Sequence, residues 1–65
     1  MNSTLTTDIL AKEMYNAYGL KADWKTWDGK QMPDWEGIGD VVRGRWMASA
    51  EKALEVIGNY SYQQN

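Results

Sequence analysis

The chain has 65 residues, 43% of them apolar and 25% charged, with nine acidic and seven basic side chains, a net charge of −2, and neither cysteine nor histidine. A chain this short makes one domain, whose core supplies only about 3 to 5 kcal/mol. The composition excludes disulfide staples and argues against a zinc site, so support must come from tight packing of the four tryptophans and four tyrosines or from association into an oligomer.

The same numbers narrow the partners. No cluster of basic residues is denser than Arg43 with Arg45, so duplex nucleic acid is disfavoured. A pI near 4.8 is too mild for an acidic mimic of DNA. No apolar run reaches the length of a membrane span, and the start MNSTLTTDIL lacks the basic and apolar regions of a signal peptide, so the expected location is the cytoplasm. The Asn-x-Ser/Thr triplets at Asn2 and Asn59 matter only in a secreted chain.

In chain order, the first expected element is an amphipathic helix at about 6–18. Ile9, Leu10, Met14, Ala17 and Tyr18 form its apolar row, with Ala11, Tyr15 and Tyr18 in a second row beside it. Thr6 is the expected N-cap, Leu5 a staple onto Leu10, and Asp8 sits well in the first turn. Gly19 is the expected stop, in the left-handed conformation.

An aromatic-rich loop follows over 19–39. Asp28 and Gly29 read as a tight turn with a short hairpin arm around them, and Pro33 followed by Asp34 opens a one-turn helix through Trp35 and Glu36. A second long helix is expected at about 40–57, with Ile38, Val42, Trp46, Ala50, Ala53, Leu54 and Ile57 on one face. Asp40 is its expected N-cap and Gly58 its stop, leaving a loose tail over 58–65 from which Tyr60 could fold back. Gly44 and the small residues at 48–50 suggest close approach by the first helix or a second chain. The expected fold is therefore mostly all-α: a single domain built as a helical hairpin.

Catalytic chemistry finds little to work with. Asp23, Asp28 and Asp34 have the outer spacing of a calcium loop, yet Lys25 and Trp27 stand where oxygen ligands are needed, Asp28 replaces the required glycine, and the final glutamate is missing. Nucleophilic catalysis would have only Ser3, Ser49 and Ser61, with no histidine as base. Asp34 and Glu36 would need a cleft that so small a chain hardly provides, and Gly37 and Gly39 belong to no phosphate-loop fingerprint. Neither an enzyme nor a metal or other cofactor is expected.

Binding is the remaining class. Tryptophan, tyrosine and arginine dominate interface hot spots, and the candidate binding residues are Trp24, Lys25, Trp27, Lys30, Trp35, Arg43 and Arg45. Trp46 reads as core and Trp35 as a cap on that core, while for Trp24 and Trp27 core packing and an exposed role both stay open.

A tyrosine-ended helix followed by TWDGKQMPDWEGIGDVVRGRWMASA resembles a class of small uncharacterised proteins of tailed bacteriophages, in which a D-G turn and a Pro-x-Trp lead into a helix carrying Arg, then Trp, then alanines. The matching positions are Tyr15, Tyr18, Asp28, Gly29, Pro33, Trp35, Arg43, Trp46, Ala48 and Ala50. That class usually has leucine and proline where this chain has Ile38 and Gly39, which implies a looser entry into the second helix. The aromatic loop and proline ahead of a charged helix are also faintly similar to the ryanodine-receptor repeat domain, associated with nucleotide-related defence.

The resemblance carries no settled activity. It implies a small accessory protein in the cytoplasm of an infected cell, with counter-defence as its purpose. Two mechanisms fit. One is stoichiometric inhibition of a host protein, with Trp24 or Trp27 inserted in a pocket and Arg43 or Arg45 on an acidic rim. The other is an oligomeric sponge that sequesters a nucleotide-like signal, stacking a base on tryptophan or tyrosine and meeting phosphate with Lys25, Lys30 or Arg43. A virion or assembly role is a third reading. A homo-oligomer is expected, with no membrane partner.

Overall fold

The computed structural model describes the backbone of residues 5–63 and side chains through Tyr60. Two helices, α1 (Thr7–Lys21) and α2 (Asp40–Gln63), form an all-α hairpin joined by the aromatic loop, which contains one 3-10 turn at Trp35–Gly37. Ser3, the Asn2 triplet and the last two tail positions lie outside the described residues, as do the side chains of Ser61 and Tyr62.

Thr6 caps α1: its hydroxyl accepts the Ile9 N–H at 3.2 Å. The far end differs from expectation. Gly19 stays inside the helix, and the stop falls four residues later in a Schellman arrangement, with the Trp24 N–H bonded to the Gly19 carbonyl at 2.8 Å and the Asp23 N–H to Leu20 at 3.2 Å. The left-handed residue at that stop is Asp23, at φ 57°, followed by Trp24 at φ 54°. A short polar side chain tolerates this region better than most. Gly19 serves another purpose, because the Trp24 ring lies on it so closely that a Cβ there would come within 2.5 Å of the indole.

The buried face of α1 is the second row: Ala11 and Tyr15 are buried, with Gly19 one turn on. Ile9 and Tyr18 of the first row are 47% and 55% exposed, and Leu10 and Met14 pack only at the margin of the core. Against this row lies Ala50 of α2, wholly buried like Ala11. Two alanines let the helix backbones approach closely there.

In the loop the D-G turn forms. The Gly29 N–H bonds to the Thr26 carbonyl at 2.9 Å with Gly29 at φ 84°, and the Thr26 hydroxyl ties to Asp28 and to both backbone groups of Lys30. The hairpin arm around it is reduced to a single antiparallel bridge, Lys25 with Gln31, because the chain at once turns Met32 inward to the core. Asp34 then caps the 3-10 turn, accepting the Gly37 N–H at 3.0 Å, and Trp35 is buried.

Entry into α2 is set by Gly39 at φ 87°, a conformation closed to proline, whose ring holds φ near −65°. The Gly39 carbonyl accepts the Arg43 N–H at 3.0 Å, so the cap is Gly39 and Asp40 is the first helical residue rather than the N-cap. Two further expectations fail. Gly58 does not stop α2, which continues to Gln63, so the described part of the 58–65 segment is helix, with Tyr60 62% exposed on it. Among the described residues of this chain α1 does not come near Gly44, where a Cβ would meet nothing within 4 Å.

Candidate functional site: an open aromatic pocket under the D-G turn

Tyr15 is the hub of the aromatic packing. Its ring meets Trp24 at 6.1 Å, Trp35 at 5.9 Å and Trp46 at 5.4 Å, the first and last edge-on, and Trp46 reaches on to Tyr18 at 5.6 Å. The Tyr15 hydroxyl donates to the Pro33 carbonyl at 2.5 Å, which pins the loop to α1. Burial pushes this phenol above its ordinary value of 10.0, and the Asp34 carboxylate and Tyr18 act in the same direction.

This arrangement leaves an open cavity of about 320 Å³ at the loop end of the hairpin. Tyr15 and Tyr18 of α1 form one wall, and Val42 and Trp46 of α2 the other. Met32, Pro33 and Ile38 close the floor from the loop, while Lys25, Thr26 and Trp27 stand along the edge. The walls are apolar and aromatic, and the polar groups are confined to the rim, as suits a site that takes an apolar body with a charged or polar periphery.

The candidate residues now separate. Trp27 occupies the first corner of the Thr26–Gly29 turn and is 97% exposed. Trp24 is half-buried, its indole laid on Gly19 and edge-on to Tyr15, so it belongs to the packing. Trp35 is only 9% exposed and offers no free ring to a partner. Arg43 is spent on the fold: its guanidinium donates to the Trp35 carbonyl at 3.1 Å, the Glu36 carbonyl at 3.0 Å and Asp40 at 3.3 Å, and lies 5.7 Å from the centre of the Trp35 ring. It caps the open carbonyls of the 3-10 turn.

Lys30 is exposed and 3.9 Å from Asp28. Lys25 and Arg45 are exposed with no carboxylate within ion-pair distance among the described residues. Arg45 lies away from the main pocket, beside a smaller hollow of about 120 Å³ with Trp46 and Ser49. Of the seven candidates, only Lys25 and Trp27 border the main pocket.

The pocket walls are largely residues that sequence reasoning had assigned to the core or passed over. The spacings Tyr15–Tyr18 and Val42–Trp46 hold a usable signal, since each pair shares a helix face. Met32 and Pro33 have none, because they reach the site only through the fold of the loop.

Among the described residues no three His, Cys, Asp or Glu side chains gather as a metal site, and no helix is long and apolar enough to cross a membrane. No protein-family model matches the chain, and no curated protein or solved structure shows significant similarity to it.

Proposed function

We propose that the protein acts by stoichiometric binding to another protein, with Trp27 as the anchor and the aromatic pocket beside it as the receptor for a large apolar side chain of the partner. The observation that carries this reading is a tryptophan 97% exposed at the tip of a hydrogen-bonded turn, next to an open apolar cavity of about 320 Å³. A rigid indole held out by a structured turn loses little conformational freedom on docking, and such rings dominate interface energetics. Lys25, at the rim of the pocket, favours a carboxylate in the partner's contact segment. The resemblance to small phage proteins supplies a purpose, inhibition of a host protein in an infected cell.

The test has two steps. A photo-crosslinking amino acid at position 27, expressed in host cells, identifies the bound protein; that protein is then purified and titrated. A 1:1 complex is expected, weakened about tenfold or more by Trp27→Ala, with helical circular dichroism unchanged. Equal affinity of Trp27→Ala for the purified partner overturns the assignment.

A second reading, the nucleotide sponge, is favoured by one feature, the aromatic walls with Lys25 at the rim. Its volume lies at the low end for a small-molecule site. Native mass spectrometry of the purified protein, with tryptophan quenching by added cyclic nucleotides or ADP-ribose, separates the two. A retained nucleotide and saturable quenching would replace protein docking as the reading.

A further inference from the structure

We infer that α2 carries a second binding surface, running from Ser49 toward the end of the helix away from the loop, through which two copies of this chain associate. Ser49, Ala53, Val56 and Tyr60 follow one another at steps of four, three and four, the spacing of a helix-pairing seam. Ile57 lies beside them. None is charged, and Val56, Ile57 and Tyr60 are 41%, 57% and 62% exposed. The hairpin leaves the later part of this stretch, Val56 to Tyr60, bare for a geometric reason: α2 has 24 residues and α1 only 15, so α2 is longer by about 13 Å at 1.5 Å per residue.

The amount of uncovered surface fits one more copy. The chain exposes 5220 Å², whereas a compact monomer of 7.4 kDa exposes about 4,200 Å². The excess of about 1,000 Å² belongs to the chain as a whole, with the bare end of α2 one part of it, and in size it is close to the 800 Å² or so that each partner contributes to a standard interface. Shape agrees, since the radius of gyration is 14.1 Å where about 11 Å suits a globule of this length. Need agrees as well: among the described residues the buried core consists of Ala11, Tyr15, Met32, Trp35 and Ala50, with no large side chain fully enclosed, which is too little for a chain with no disulfide.

Charge selects a like partner over an oppositely charged one. Lys52, at the edge of the seam, is already paired with Glu55 at 2.8 Å, so from Ala53 to Tyr60 the stripe presents no uncompensated sign, and the one unpaired charge beside it among the described residues is Arg45 at the Ser49 end. An uncharged stripe that packs on its own copy about a two-fold axis is the simplest closed assembly. Val56 is about 15 Å along the axis from Trp46, ten residues away, which leaves the Trp27 pocket open at the other end.

Light scattering after size exclusion, run on the full chain from micromolar to about millimolar concentration, reads the mass directly. Twice the 7.4 kDa chain mass is expected, falling to the single mass for Val56→Glu but not for Leu20→Glu on the outer side of α1 or for Trp27→Ala. If Val56→Glu unfolds, Ser49→Cys provides a second readout, because the chain has no other cysteine. A short bismaleimide should join two Ser49→Cys chains and leave Leu20→Cys chains single. A wild-type chain that stays at single mass throughout the range, a Val56→Glu variant that remains folded and dimeric, or equal cross-linking at positions 20 and 49 overturns the inference.

Discussion

Gly19 and Gly58 look alike in the sequence, each at the end of an apolar pattern, yet their surroundings differ. A Cβ at Gly19 would meet three ring atoms of Trp24 at 2.5 to 2.7 Å, and at Gly58 it would meet nothing within 4 Å. Gly19→Ala should therefore destabilise the chain by about 1 to 3 kcal/mol through displacement of the indole, despite alanine's better helix propensity. Gly58→Ala should stabilise it by about 0.5 to 1 kcal/mol. Urea midpoints of the two variants check both signs.

Tyr15 supplies a prediction about pH. Its phenol is raised above 10.0 by burial, so in alkaline solution the unfolded chain loses that proton before the folded chain does. The associated stability is complete below pH 10 and declines as the pH passes through the raised folded value. Denaturation midpoints measured from pH 8 to 11 should hold level below about pH 10 and fall above it, and Tyr15→Phe should flatten the fall, at a cost of about 1 to 2 kcal/mol at neutral pH from the lost bond to Pro33.

At the level of elements, the helices depend on the loop as much as the loop on them. Arg43 in the first turn of α2 binds two carbonyls of the 3-10 turn and stacks near Trp35, so it fixes how the aromatic loop meets the helix. Lysine keeps the charge but has no planar fork to reach two carbonyls together. Arg43→Lys should lower stability by about 1 to 2 kcal/mol, read as a drop in thermal midpoint. By contrast, the exposed pair Lys12–Glu36, at 3.7 Å between α1 and the 3-10 turn, should be worth less than about 1 kcal/mol in a double-mutant cycle.

For the whole molecule, the balance between surface and core sets the behaviour. A hairpin with five buried core residues among those described has little stability to spare, and association at the far end of α2 would add to it by mass action. The thermal midpoint should rise by several degrees for each tenfold increase in protein concentration. A midpoint independent of concentration would show that the monomer carries its own stability. The Trp27 pocket opens at the loop end and Val56 to Tyr60 lie at the other end of α2, so one chain can pair with a copy while Trp27 faces another protein.

Periodicity and cap chemistry already specify two helices, the Thr6 cap, the D-G turn and the Pro33–Asp34 entry to a helical turn, because each depends on neighbours within four residues. Which apolar row of α1 turns inward does not follow from spacing alone, since two adjacent rows compete and only packing against Ala50 and Trp46 selects the one with Ala11 and Tyr15. Trp24 and Trp27 share the same charged neighbourhood and cannot be told apart there. Only two residues lie between them, and the Schellman stop at Asp23 lays one ring on Gly19 while the Thr26–Gly29 turn carries the other into solvent. The local code determines that this chain is an aromatic-rich helical hairpin; contacts across the sequence decide which tryptophan is scaffold and which is free, because burial is a property of the assembled shape.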